Sequence, residues 1–260
     1  MKLRLFQVDA FTSRAFAGNP AAVVPLEAWL EDATLQAIAA ENNLSETAFF
    51  VPEGDGFEIR WLTPAHEVDL CGHATLASAW VLFNVLEPGR RAVRFRSKSG
   101  PLGVSAEGDR IALDFPSRPP LEAEASLAAV AAALGARPQA LLAARDYLAV
   151  FADEGEVRGL RPDMARTAAL DRMAVIATAP GTDCDFVSRF FAPAVGVPED
   201  PVTGSAHTTL VPYWAARLGR SSLFARQVSA RGGELWCEDR GARVSIAGQA
   251  APYLEGTITL

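Results

Sequence analysis

Residues 68–83 read VDLCGHATLASAWVLF, and how this stretch is read decides the fold. It is an apolar helix whose mouth carries Cys71-Gly72-His73, reactive side chains around a glycine, where a Ser, Asp or Pro cap ordinarily sits. A second helix opens in the same way in DPVTGSAHTTLVPYWAARLG, residues 200–219. Upstream of each lies a matching hexad: Arg60-Trp61-Leu62-Thr63-Pro64-Ala65 and Arg189-Phe190-Phe191-Ala192-Pro193-Ala194. In each copy a strand ends at proline, a loop follows, and a helix starts on glycine; Arg to Gly spans 12 residues in the first copy and 15 in the second. A repeated strand-loop-helix order reads as an internal duplication.

The rest of the chain fits around the two copies. LFQVDAF and AAVV read as strands across the AGNP turn, and LEDATLQAIAAENN as a helix with Leu35, Ile38 and Ala39 on one face, ended by Asn42-Asn43. ETAFFVP and FEIRWLTP pair across Gly54-Asp55-Gly56, and AVRFRSKSG, PLGVSAEG and RIALDFP form a meander. SRPPLEAEAS, 117–126, reads as a linker, because two prolines break both strand and helix. It divides the chain into 1–115 and 116–260, with the last strand able to return to the first half. LAAVAAALGARPQALLAARD reads as helical with Gly135 at a C-cap, and YLAVFAD, MAVIATAP and DFVSRFFAP as strands. A helix from Gly204 to Leu218 carries Pro212 inside it, and ARQVSARGGELWCE and RVSIAGQA close as hairpin strands.

Composition excludes several function classes. Half of the 260 residues are apolar, as in soluble globular domains, and 31 carboxylates outnumber 24 Lys and Arg. No basic stripe is present, which argues against nucleic acid. No apolar run reaches the length of a membrane span, and Gln7 and Asp9 interrupt any signal-peptide core, so a cytoplasmic location is expected. Cys71, Cys184 and Cys237 are too few and too far apart for a disulfide framework or a zinc ribbon.

A helix N-terminus has unpaired N–H groups and about half a positive charge, and glycine lets a ligand approach that backbone. CGHAT and TGSAH each offer an anion site of this kind. The plainer alternative is that His73 and Ser205 simply cap their own helices.

VDAFTSRAFAGNPAAVV, NNLSETAFF, LTPAHEVDLCGHATLASAWVLF and EDPVTGSAHTTLVPYW, in this order, resemble the PhzF-type phenazine-biosynthesis family, related to diaminopimelate epimerase. The resemblance implies an α+β fold of two similar domains, each a curled mixed β-sheet around a central helix, with the active site in the inter-domain cleft. It implies catalysis without cofactor or metal, and a homodimer. It places the essential acid-base glutamate on Glu46, a holding and protonating residue on His73, a second acid on Asp200, and the carboxylate grip on Gly72, Gly204 and Ser205. Asn19 of GNP is a further lining residue. The residues give Glu46 a case of their own: it precedes Ala48-Phe49-Phe50-Val51, and desolvation there favours a general base.

The epimerase relatives use two thiols, but here Cys71 stands opposite Pro201-Val202 in the second copy, which favours Glu46 as a single base over a cysteine pair. Cys71 then reads as packing, Cys184 and Cys237 as core. His66, Cys71, His73 and His207 match no zinc spacing, and no metal is expected. The sequence thus predicts a cofactor-independent isomerase moving a proton on a small carboxylate. The alternative is a non-catalytic small-carboxylate binder on the same scaffold.

Overall fold

The computed structural model describes residues 1–123 and 126–260. It divides into two compact units, Met1–Phe115 with Ile246–Leu260, and Pro116–Ser245.

The first unit runs β1 (Lys2–Ala10), β2 (Asn19–Pro25), α1 (Asp32–Asn42), β3 (Glu46–Glu53), β4 (Gly56–Leu62), β5 (Glu67–Val68), α2 (Gly72–Val81), β6 (Ala92–Ser97), β7 (Gly100–Glu107) and β8 (Arg110–Pro116). The order continues with β9 (Leu121–Glu122), α3 (Leu127–Leu134), β10 (Ala140–Ala143), β11 (Tyr147–Val150), α4 (Glu154–Gly159), α5 (Met164–Ala168), β12 (Val175–Pro180) and β13 (Phe186–Ala192). β14 (Val197–Asp200), α6 (Gly204–Leu218), β15 (Ser222–Gln227), β16 (Gly233–Asp239), β17 (Arg243–Gly248) and β18 (Ala250–Thr259) complete it.

The duplication extends to strand pairing. In the first unit β1 runs antiparallel to β2, β2 parallel to β3, and β3 antiparallel to β4. β4 then pairs antiparallel with β5 and parallel with β6, which is antiparallel to β7. The second unit repeats this succession from β10: antiparallel to β11, parallel to β12, antiparallel to β13, antiparallel to β14, parallel to β15, antiparallel to β16. Both hexad arginines hold the same kind of partner. Arg60 forks onto Glu67 through Nε and Nη2 at 3.0 and 2.7 Å, and Arg189 onto Glu199 at 2.7 and 2.9 Å. Each glutamate stands five residues before the helix-start glycine, so the extra residues of the second copy lie earlier, around the 3-10 turn Pro193–Val195.

This alignment corrects one expectation. Thr203, rather than Pro201-Val202, stands where Cys71 stands, and both are extended N-caps, at φ −138° and −111°.

α2 is buried from Gly72 to Ala79, and packs against β1, β2, β3 and β18. A helix with no polar face has to be wrapped, and the curling sheet does so. One π-helical turn, Leu82–Leu86, ends it before Pro88. α6 is buried over most of its first two turns, and the Trp214 indole donates to Thr178 Oγ1 at 3.0 Å. β18 returns to the first unit and pairs with β1 from Lys2 to Ala10, with one irregularity at Gln7/Val8.

The Ala-rich stretch departs from its helical reading. α3 ends at Gly135, whose φ of 73° makes it the left-handed cap, and Ala140–Ala143 is a strand between β9 and β11. Pro138 and the pairing edges on both sides outweigh the helix propensity of Ala and Leu there. Of the linker read at 117–126, residues 124 and 125 lie outside the described ones, and Leu121–Glu122 is strand. Two short helices went unread: α4 and α5, capped by Asp153 and Asp163, whose carboxylates accept from Glu156 N and Arg166 N.

Candidate functional site

In the first unit three elements converge. Gly18, at φ +63°, turns the chain so that Asn19 enters β2; a Cβ on it would lie 2.2 Å from the Ala10 carbonyl oxygen. β2 runs parallel to β3 with Ala21 opposite Glu46, so Asn19 and Glu46 sit near one end of adjacent strands. α2 packs on both strands and starts there, which brings up Cys71, Gly72 and His73.

The geometry centres on His73, whose side chain is 4% exposed. Asn19 Nδ2 lies 3.1 Å from His73 Nδ1, and Cys71 Sγ lies 3.5 Å from the same nitrogen. An amide N–H and a thiol both donate, so Nδ1 is the acceptor and the neutral ring carries its proton on Nε2. That nitrogen lies 3.3 Å from Glu46 Oε2, on a side chain 16% exposed. Burial holds the imidazole neutral, pushing its pKa down to about 3.

Among the described residues the N-caps are Cys71 for α2 and Thr203 for α6, and neither side chain makes a capping hydrogen bond to its helix. His73 and Ser205 each stand two residues inside the cap position, as the second residue of the helix. Cys71 is buried against an imidazole as well as packed, while Cys184 is only half-buried, its thiol reaching the Phe186 carbonyl at 3.2 Å.

In the second unit Asp200 ends β14 opposite Phe190 of β13, and its Oδ2 accepts from the Thr203 hydroxyl. Gln227, at the end of β15, fixes the same corner: its Oε1 accepts from Thr203 N at 2.8 Å and its Nε2 donates to Asp200 O at 2.7 Å. Gly204 and Ser205 are the first two residues of α6, and Ser205 Oγ meets Arg145 Nη2 at 3.5 Å. His207 is fully buried; its Nδ1 donates to Thr203 O at 2.9 Å, and burial lowers its pKa to about 4. The structure thus gathers Asn19, Glu46, Gly72 and His73 in the first unit and Asp200, Gly204 and Ser205 in the second. Sequence reasoning missed Gln227 and Arg145, each carried to its place by a strand or turn far away in the chain.

Among the described residues Glu46, Cys71 and His73 have ligand-type atoms within 4.8 Å of one another. Both ring nitrogens already face protein groups, so a cation there would displace Glu46, or Asn19 and Cys71, from the imidazole. The neutral His73, with the Asn19 amide on its Nδ1, turns its Nε2 toward the Glu46 carboxylate. Among the described residues no helix is long and apolar enough to cross a membrane.

The family model described as phenazine biosynthesis-like protein, PhzC-PhzF, matches residues 8–256. The chain belongs to the PhzC-PhzF family. Two proteins of Pseudomonas aeruginosa, each named an uncharacterized isomerase, are 54% and 56% identical to this PhzF-family chain, with both chains covered in full. The crystal structure of a PhzF-family protein from Enterococcus faecalis superposes with a TM-score of 0.97 at 47% identity, again over all of both chains. A hydroxyproline epimerase from Agrobacterium vitis, 11% identical and covered to 92%, shares the fold at a TM-score of 0.65, across 99% of this chain. The two-domain α+β fold is therefore the epimerase-like fold of the PhzF family.

Proposed function

We propose that this PhzF-family protein is a cofactor-independent isomerase that moves a proton on a small carboxylate, with Glu46 as its single general acid-base. Isomerase names among full-length relatives support the reaction class. The observation that carries the assignment to Glu46 is its carboxylate beside the Nε2 of a buried, neutral imidazole whose other nitrogen is already satisfied.

In this reading the carbon-bound hydrogen next to the substrate carboxylate passes to Glu46. His73 offers Nε2–H to the ionised carboxylate and so directs which oxygen receives the proton. An imidazole held neutral by burial serves as an orienting donor and avoids supplying a proton to bulk water. Negative charge developing on the substrate is met by backbone N–H groups at the Gly72 start of α2, preorganised donors that need no rearrangement; the Gly204 start of α6, with the Ser205 hydroxyl, offers donors of the same kind in the second unit. Asp200 and Thr203 fix the α6 start. Glu46 then returns the proton to a different face or carbon. The substrate and the homodimer belong to the same proposal.

Incubation with small carboxylates bearing an acidic C–H in deuterated water tests it. An isomerase places deuterium on carbon in at least one of them; binding of carboxylates with no incorporation across the set would leave only a ligand-binding role.

A further inference from the structure

Glu46, Cys71 and His73 bring an oxygen, a sulfur and a nitrogen of metal-binding type to one place in the first unit. Nε2 of His73 stands 3.3 Å from Glu46 Oε2. Two ligands of a tetrahedral zinc ion, each about 2.0–2.1 Å from it, are themselves about 3.3 Å apart. The ring nitrogen and the carboxylate oxygen are thus spaced as neighbours in one coordination shell. Cys71 Sγ lies 3.5 Å from the other ring nitrogen, and the three ligand atoms fall within 4.8 Å of one another. A turn of the short Cys71 side chain away from Nδ1 supplies a thiolate as the third ligand. Cations such as Zn²⁺ and Co²⁺ take a mixed set of imidazole, thiolate and carboxylate.

The ring proton is what keeps this set from working as a metal site. A metal takes the bare lone pair of an imidazole nitrogen, and a metal-bound histidine donates its other N–H to a carboxylate or a carbonyl oxygen. Here the arrangement is reversed. The Asn19 amide N–H, 3.1 Å away, is turned onto Nδ1, and the proton is left on Nε2, where the metal would have to bind. Metal at Nε2 would drive that proton to Nδ1, against the N–H groups of Asn19. The obstacle is built into the fold: Asn19 is fully buried and enters β2 straight from the turn at Gly18, where no larger residue fits.

We infer that Asn19 is a metal-excluding residue, which pins the His73 proton on Nε2 and so closes a latent transition-metal site made of Glu46, Cys71 and His73. The consequence is a Glu46 carboxylate kept unligated. The inference rests on the tautomer assigned above and on no step of the proposed isomerisation. A carboxylate in place of the amide accepts the ring proton at Nδ1, turns the Nε2 lone pair outward, and completes a carboxylate–histidine–metal arrangement. On binding, the Cys71 thiol gives its proton to the buffer while the ring proton stays in the protein, so one proton is released for each metal ion.

Titration of the metal-free full chain with Zn²⁺ by calorimetry, and with Co²⁺ by absorption, tests this on wild type, Asn19→Asp, and Asn19→Asp combined with Cys71→Ser. Asn19→Asp is expected to bind Zn²⁺ at least about tenfold more tightly than wild type, the scale on which groups hydrogen-bonded to metal ligands act. Its Co²⁺ complex should show a thiolate-to-cobalt charge-transfer band, absent from wild type at the same Co²⁺ concentration and lost when Cys71→Ser is added. Equal Zn²⁺ affinity in wild type and Asn19→Asp would overturn the inference, since it would mean that the amide turns over and accepts the proton itself. A Co²⁺ complex of folded Asn19→Asp without that band would overturn it too. Circular dichroism checks folding. Should Asn19→Asp unfold, Asn19→Ala takes its place, because it removes the N–H that fixes the tautomer; it is expected to bind Zn²⁺ more tightly than wild type, and no gain there would count equally against the inference. These readouts need no substrate. Carbon-bound deuterium exchange by wild type with equal Zn²⁺ affinities removes this inference alone, whereas a gain in Zn²⁺ affinity with no exchange on any carboxylate leaves it standing without the isomerase.

Discussion

At the scale of single residues, Asn19 decides which nitrogen of His73 holds the proton, and so what Glu46 faces. Asn19→Asp would place an acceptor against Nδ1, draw the ring proton there, and turn a bare Nε2 lone pair toward the Glu46 carboxylate. Turnover should fall by roughly 10²-fold or more, the usual scale for disturbing a general acid-base group, while KM changes little. Equal activity in Asn19→Asp would show that the tautomer is irrelevant. Burial of two neutral histidines also sets a pH dependence. His73 and His207 titrate near pH 6.5 in an unfolded chain and at about 3 and about 4 when folded. Below 6.5 the unfolded chain therefore takes up protons that the folded chain refuses, so stability present above pH 6.5 is lost as pH falls toward 3. His73 faces Glu46, Cys71 and Asn19, and His207 faces the Thr203 carbonyl. Thermal midpoints measured from pH 7 to 4 should drop, and His207→Gln should make the decline shallower; an unaltered slope would contradict the role of its burial.

At the scale of elements, the α6 start depends on a side chain that no motif pointed to. Gln227 satisfies Thr203 N and Asp200 O at once, and both lie in buried surroundings. Gln227→Leu should destabilise the fold by about 1–3 kcal/mol for each group left unpaired, read as a shift in the urea midpoint, and loosen Ser205 and Gly204 with it. A midpoint within error of wild type would mean that other donors take over. Both helix starts were legible because glycine after a strand and a proline loop is a local signal. Gln227 and Arg145 were not, because their meaning comes from strand pairing across 24 and 60 residues. The strand Ala140–Ala143 was misread for a related reason: alanine and leucine tolerate both periods, and only the neighbours β9 and β11 decide between them. The short helices α4 and α5 could have been found from their Asp caps, Asp153 three residues before Glu156 and Asp163 three before Arg166.

At the scale of the whole molecule, the fold is one unit made twice, with the same succession of pairing senses and the same Arg–Glu fork ahead of each central helix. The echo of two hexads was enough to read the duplication, because each hexad is a strand end that feeds a helix. How far the copies match was hidden, since pairing sense leaves no mark on a hexad. The return of the last strand makes the first unit dependent on both ends of the chain, with β18 along the whole of β1. Deleting 246–260 should expose β1 and raise amide exchange throughout β1 and β2 by orders of magnitude, since an unpaired strand loses its ladder. Retained protection there would show that β1 is held by β2 alone. The proposed chemistry turns on Glu46, and the most direct measurement is the rate of carbon-bound deuterium incorporation into a turned-over carboxylate, compared between wild type and folded Glu46→Gln. A loss of roughly 10²- to 10⁴-fold, with ligand binding retained, is the predicted result; a Glu46→Gln rate close to that of wild type would contradict it.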